Sequence, residues 1–253
     1  YWTLKQYEEN NESQLGDIEN YETFLDELDK VWAECSRVLV GGGRICCVVG
    51  DVCVSRKRGG RHLVMPLHAD IQVRARRLGL DCLTPIIWHK ISNGVTETEG
   101  NGAGFYGKPY QPGSIVKNDV EYILFLRKGG QYRTATPVQK ALSMLSRTEM
   151  QSWFRSFWTD IKGASTRNGH PAPYPIELAD RLVRMFSFAG DTVLDPFLGT
   201  ASTSIAALRA GRNSIGNEIE PTYLKCAYDK LLAESRQMRF VGATRSNVCR
   251  TGF

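Results

Sequence analysis

Apolar residues recur at helical spacing across residues 21–40, YETFLDELDKVWAECSRVLV, where Phe24, Leu25, Leu28, Val31, Trp32, Cys35, Val38 and Leu39 share one face. Gly41, Gly42 and Gly43 stop that helix. The next run, Ile45 to Val49, is apolar throughout and ends in Gly50-Asp51, the pattern of a buried parallel strand. Pro66 and Gly79 bracket a second helix over residues 66–79. CLTPIIWHK predicts a strand from about Leu83 to Lys90, and VEYILFLRK a strand from Val120 to Lys128. Residues 92–117 between them are rich in glycine and asparagine and have no period, which marks a functional loop.

Residues 129–170 are irregular, basic and aromatic, with Trp153, Phe154, Phe157 and Trp158 close together. That aromatic cluster reads as core in preference to a recognition surface. A helix follows in IELADRLVRMFS, with Leu178, Leu182, Val183 and Phe186 on one face. Then come a strand, DTVLDP, a helix, STSIAALRAG, a strand, NSIGNEIE, and a closing helix, PTYLKCAYDKLLAES. This alternation predicts an α/β protein with a mainly parallel sheet.

Composition narrows the class. The chain has 253 residues, 42% hydrophobic and 23% charged, which excludes low-complexity disorder, collagen and a coiled coil. No apolar run reaches the ~18–20 residues of a membrane span. The opening YWTLKQYEENNE has neither the basic start nor the apolar stretch of a signal peptide. The seven cysteines include no C-x-x-C pair and are expected to be reduced thiols in a cytosolic protein, and the scattered His62, His68, His89 and His170 predict no metal site. The net charge is +5, but residues 1–30 hold nine acids against two bases. Residues 55–62 hold four bases (Arg56, Lys57, Arg58 and Arg61) and no acid, and residues 127–162 hold seven bases, Arg133 and Lys140 among them, against two acids. Basic residues in such segments suit a polyanionic partner.

The sharpest chemical signal is VLDPFLGTASTSIAALRAGRNSIGNEIEPTY, residues 193–223. A strand ends in Asp195, a glycine turn leads into a helix, and a second strand ends in Glu218, 19 residues after Gly199. A turn of this kind brings backbone close to a nucleotide-type ligand, and the second acid accepts hydrogen bonds from ribose hydroxyls. The G-x-G-x-x-G of a dinucleotide site is absent. An aspartate ahead of the turn repels phosphates and suits a cationic ligand without phosphate, such as S-adenosylmethionine.

These residues resemble the DNA amino-methyltransferases, in the group whose cofactor motifs follow the catalytic motif. The family's D-P-F-x-G-x-G-T-T loop stands here as Asp195-Pro196-Phe197-Leu198-Gly199-Thr200-Ala201-Ser202-Thr203, with Ala201 in place of a glycine. Its H-P-A-x-[FY]-P motif stands as His170-Pro171-Ala172-Pro173-Tyr174-Pro175, ahead of a helix whose free N–H groups face the cofactor's carboxylate. Its G-D strand end matches Gly50-Asp51, and its I-W-x-K strand matches Ile87-Trp88-His89-Lys90. The resemblance implies a Rossmann-like fold in one domain over 1–253. It brings a seven-stranded-type sheet with helices on both faces and a target-recognition region at about 92–118 and 129–169. It implies S-adenosylmethionine as cofactor on Asp195, Phe197, Gly199, Thr200, Glu218, His170, Pro171 and Ala172. DNA is the implied partner, contacted by Arg56, Lys57, Arg58, Arg61, Arg133 and Lys140.

The family's catalytic motif, [DNS]-P-P-[YFW], has no full counterpart, because the sequence holds no Pro-Pro. Tyr1-Trp2 resembles the end of the family's S-P-P-Y-W form of that motif, which makes Tyr1 the ring on which a flipped base stacks. The resemblance therefore implies N4-methylation of cytosine, with N6-methylation of adenine as the alternative. A chain that truly began at Tyr1 would be an inactive binding relative. No cysteine comes directly after a proline, which sets cytosine-C5 chemistry aside.

Overall fold

The structure is a computed structural model and describes Trp2 and residues 14–54, 56–90, 118–163 and 175–237. The chain divides into two compact units, one within residues 15–132 and 154–163 together with Trp2, the other within residues 133–153 and 164–253.

The first unit is organised by one strand. Helix α1 (Tyr21–Val38) starts on an Asn20 cap that accepts from the Thr23 N–H, and it buries Tyr21, Phe24, Leu25, Leu28, Trp32 and Cys35. It stops at Val38, before the glycines, because the chain turns extended at Leu39. Lys128 Nζ then donates to the carbonyls of Ser36 and Leu39, at 2.7 and 2.8 Å. After it come β1 (Arg44–Val49), β2 (Val52–Val54), α2 (Arg56–Gly59), β3 (Leu63–Met65), α3 (Leu67–Arg77), β4 (Leu80–His89) and β5 (Val120–Lys128). The sheet order is β1-β5-β4, closed by a two-residue strand, β6 (Phe157–Trp158), beside β4.

Strand β5 runs antiparallel to both β1 and β4, with Val49 opposite Tyr122 and Ile87 opposite Tyr122 on the other side. The expectation of a parallel neighbour for β1 is corrected here. An apolar run carries no sign of strand direction: Val49 is buried, the other five residues of β1 are partly exposed, and the hydrogen-bonding neighbour β5 runs the other way. Strands β1 and β4 point the same way but never pair. Among the described residues, the parallel ladders are β4 with β6 and β7 with β8. The short hairpin of β2 and β3 carries α2 at its tip, where the sequence predicts only a basic loop. The core of this unit gathers Trp2, Tyr21, Phe24, Leu28, Trp32, Val49, Val52, Leu67, Ile71, Leu124 and Leu126.

The aromatic cluster divides by residue. Trp158 is buried beside Trp88, whose indole donates to the Ile161 carbonyl at 2.8 Å, whereas Phe154 and Phe157 are exposed. Trp153 is buried in the second unit, under the guanidiniums of Arg181 and Arg184 at 5.6 and 4.8 Å.

The irregular segment of the second unit contains α4 (Pro137–Leu142), with a Thr136–Gln139 capping box, and α5 (Arg147–Trp153). Then come α6 (Ile176–Phe186), β7 (Thr192–Asp195), α7 (Ser202–Arg209), β8 (Asn213–Gly216) and α8 (Pro221–Gln237). The β7-α7-β8 segment is a parallel unit with Asp195 opposite Gly216, so both strands end at the same edge. Helices α6 and α7 meet through Ala179, Val183, Ala206 and Ala207. Small side chains there let the two backbones approach closely.

Candidate functional site

The site lies at the carboxyl ends of β7 and β8. Asp195 closes β7, and its Oδ1 accepts from the Phe197 N–H at 3.0 Å, which starts a tight turn. Backbone bonds tie that turn to the end of β8. Asn217 N–H donates to Asp195 O at 2.9 Å, and Leu198 N–H donates to Asn217 O at 2.8 Å. A side chain at Gly216 would meet Leu198 Cδ1 at 2.6 Å, so a larger residue there requires the Leu198 side chain to move.

Gly199 and Ala201 both take left-handed backbone, with φ of 53° and 71°. Ala201 is the only non-glycine with positive φ among the described residues, and it is fully buried against Leu198 and Ala227. Its conformation explains why the related loops carry glycine there.

Glu218, two residues past the end of β8, binds the turn. Its Oε2 accepts from Gly199 N–H at 2.7 Å, and its Oε1 accepts from Glu220 N–H at 2.9 Å. An ionised carboxylate has about four acceptor positions. Glu218 is half-buried, and each of its oxygens keeps a second acceptor position for an outside donor. Buried Glu220 accepts from Thr222 N–H and Oγ1 at 3.1 Å, which fixes the start of α8. The flanking Phe197 and Ile219 are half exposed and offer apolar surface beside the turn. Donors such as a pair of hydroxyls suit Glu218, and a flat heterocycle suits the apolar flanks.

Asp195, Phe197, Gly199, Thr200 and Glu218 therefore come together on one turn. His170, Pro171, Ala172 and Tyr1 lie outside the described residues, as does most of the 92–118 segment. Arg56 and Arg61 are exposed on the β2–β3 hairpin, and Lys140 is exposed on α4. Lys57 and Arg58 are in α2, and their side chains are outside the described residues. Arg133 forms an ion pair with Asp191 and lies over the Phe188 ring, so its charge already has a partner.

Sequence reasoning missed the anchoring of the turn by Glu218 and Glu220. It also missed a polar group in the first unit around Asp51, His68, Asn118 and Tyr122. The Gly50-Asp51 strand end was the signal for that second group.

A β-α-β unit with a glycine turn and an acid at each strand end defines an α/β protein with a nucleotide-type site. The chain belongs to the DNA methylase family of N6 and N4 methyltransferases, which matches residues 1–229. It is 39% identical over 228 residues to the type II methyltransferase M.MthZI of Methanothermobacter thermautotrophicus, covering 87% of this chain and 60% of that one. The chain thus spans three-fifths of the length of that relative. TTHA0409 of Thermus thermophilus, solved as a complex with S-adenosyl-L-methionine, is 51% identical with a TM-score of 0.74, covering 89% of this chain and 83% of that one. The PvuII cytosine-N4-specific DNA methyltransferase shares the fold, with a TM-score of 0.60 at 16% identity, covering 95% of this chain and 79% of that one. Both likenesses give the Rossmann-like methyltransferase fold expected from the sequence. Among the described residues, no helix is long and apolar enough to cross a membrane.

Proposed function

We propose that this protein methylates an exocyclic amine in DNA with S-adenosylmethionine as methyl donor. The observation that carries the reading is the Asp195–Thr200 turn, held by Glu218, which keeps acceptor positions on both oxygens. Bound S-adenosylmethionine supplies a methyl group activated by its sulfonium. Glu218 binds the ribose hydroxyls, Asp195 faces the cationic methionine portion, and Phe197 and Ile219 flank the adenine. Phosphate-free recognition fits an acid at the end of β7. His170, Pro171 and Ala172 complete the cofactor set through the family motif. The lack of a G-x-G-x-x-G motif separates this reading from a dinucleotide enzyme.

Tyr1 provides the stacking surface for a base taken out of the duplex, a contact worth ~1–3 kcal/mol. Most of the rate comes from holding amine and methyl donor in line. Arg56, Arg61 and Lys140, all exposed, bind backbone phosphates, and Lys57 and Arg58 extend the basic hairpin. Cytosine N4 is the preferred target, on the resemblance of Tyr1-Trp2 to the family's S-P-P-Y-W opening. The family name covers N6 of adenine as well, which is the second reading.

The test is nucleoside mass spectrometry of DNA incubated with the full protein and labelled methyl donor. Labelled N4-methylcytosine is the expected product. Labelled N6-methyladenine alone replaces the cytosine assignment, and no labelled nucleoside refutes the enzyme.

A further inference from the structure

We propose that the outward face of α4 and the turn after it pack into a groove of DNA, with Val138, Leu142 and Met144 against the bases and Lys140 and Arg147 on the flanking phosphates. The inference rests on the reading above that DNA is the partner, and it names the surface that meets the bases.

Helix α4 is amphipathic in the inverse sense. Residues four apart share one face of a helix. Gln139 and Ser143, one such pair, face the body of the second unit. Gln139 Nε2 donates to Ala189 O at 3.3 Å, and Ser143 Oγ accepts from Ala189 N–H at 2.8 Å. Val138 and Leu142, the other pair, face outward and are 66% and 68% exposed, and Met144 follows at 76%. These are the three most exposed large apolar side chains among the described residues. A surface helix ordinarily turns its apolar stripe inward and its polar face to water.

The stripe is held in place from both sides. The Thr136–Gln139 capping box closes the start of α4. Beyond Met144, Ser146 caps α5: its N–H donates to Glu149 Oε2 at 2.7 Å, and its Oγ accepts from Glu149 N–H at 3.2 Å. Arg184 of α6 binds Glu149 at 2.7 Å, and its guanidinium lies over buried Trp153 at 4.8 Å. The outward apolar groups therefore sit on a fastened support, and such a cluster marks a contact surface.

Charge selects the partner. Residues 137–153 carry two bases, Lys140 and Arg147, and one acid, Glu149. Arg184 engages the acid, while both bases are exposed. Apolar side chains bracketed by cations fit a partner with apolar surface between rows of negative charge. A DNA groove has that form, with bases between phosphates. Leucine and methionine are among the side chains that proteins insert between base steps. A base taken out of the duplex for methylation leaves such a step open. A second copy bound about a two-fold axis would set Lys140 and Arg147 against their own counterparts, which like charge opposes.

The test uses the full protein and sheared genomic DNA free of N4-methylcytosine and N6-methyladenine. Leu142→Ser is expected to weaken DNA binding about tenfold and to leave the slope of log affinity against log salt unchanged, because no phosphate contact is lost. Lys140→Ala is expected to lower that slope by ~0.9. Melting temperature and S-adenosylmethionine affinity should hold in Leu142→Ser, whose altered side chain is exposed. Wild-type DNA affinity in Leu142→Ser overturns the proposal. A second measurement follows the methionine methyl groups by carbon-13 NMR, with Met144 assigned through Met144→Leu. Its resonance should move upfield on addition of DNA, as base rings approach, and stay in place with heparin, which has the charge and no bases. A resonance that DNA leaves in place, or that heparin moves equally, overturns the proposal. So does a DNA-free dimer in sedimentation that Leu142→Ser splits, which makes the stripe a contact between copies. Wild-type protein that binds DNA and transfers no methyl group refutes the amine-methylating reading instead, and the affinities and the Met144 shift still decide what the stripe meets.

Discussion

Replacing Glu218 separates two roles that this side chain combines. In the unliganded protein its carboxylate accepts from Gly199 N–H at 2.7 Å and from Glu220 N–H at 2.9 Å. A hydrogen bond to a charged group contributes roughly 1.5–3 kcal/mol net. Gly199 is buried, so its N–H has no ready substitute in water, whereas Glu218 itself is half-buried and part of its share is screened. Glu218→Ala is therefore expected to cost about 3 kcal/mol before any ligand is added. For a chain of this size that lowers the melting temperature by roughly 6–12 °C. Glu218→Gln keeps one acceptor oxygen and turns an NH2 toward the other N–H, so about half the loss is expected.

The ligand then reads the second role. At a hundredfold excess over its dissociation constant, S-adenosylmethionine should stabilise the wild type by about 2.7 kcal/mol. Tenfold weaker binding in Glu218→Ala should cut that gain to about half. Thermal unfolding followed by circular dichroism, with and without S-adenosylmethionine, measures both effects. An unliganded Glu218→Ala protein that melts with the wild type would falsify the anchoring role, whatever the ligand does.

Five further outcomes are expected. Ala201→Gly should leave stability within about 1 kcal/mol of wild type by denaturant titration. Relief of left-handed strain, ~1–2 kcal/mol, is offset by chain entropy and by a lost buried methyl of ~0.8 kcal/mol. In the same titration Ala201→Val should cost about 2 kcal/mol or more, because a β-branched residue enters a fully buried left-handed site. Arg184 and the Ser146 N–H hold the Glu149 carboxyl below its ordinary value, so its contribution is full above ~4.3 and fades as pH falls through the folded value. Glu149→Gln should flatten the acid limb of stability against pH. Burial pushes the Cys46 and Cys47 thiols up to about 12, so iodoacetamide at pH 8 should spare both in the native protein and label both in urea. Arg56→Ala with Arg61→Ala should lower the slope of log affinity for DNA against log salt by ~0.9 for each lost phosphate contact; an unchanged slope makes the hairpin ordinary surface.

The elements were legible where one helix or strand carries its own signal. Helices α1, α6 and α8 follow apolar spacing and end within a few residues of expectation, and β5 matches Val120–Lys128. The Asp195–Glu218 turn was legible because spacing along a β-α-β unit determines which ends meet. Strand direction was not. The apolar run of β1 carries no sign of strand direction, and its antiparallel partner lies more than seventy residues away. Residue type also left the aromatic cluster undivided: Trp153 and Trp158 are buried, and Phe154 and Phe157 are exposed. Pairings between distant residues were equally silent, such as Arg133 with Asp191 and His68 with Asp51. Charge counts place Arg133 on a basic surface, but only folding brings it to an acid 58 residues on.

The position of β5 has a consequence for how the chain is made. Strands β1 and β4 emerge from a ribosome first, both apolar, both pointing the same way and neither able to pair with the other across the gap between them. Their common partner arrives roughly 40 residues after β4 is complete. At ordinary synthesis rates of about 5–20 residues per second, the two edges stay bare for about 2–8 s. During that interval the nascent chain offers unpaired backbone to any neighbouring chain. The delay is set by the length of the segment that separates β4 from β5, so lengthening that segment prolongs the exposure and shortening it brings the sheet together sooner.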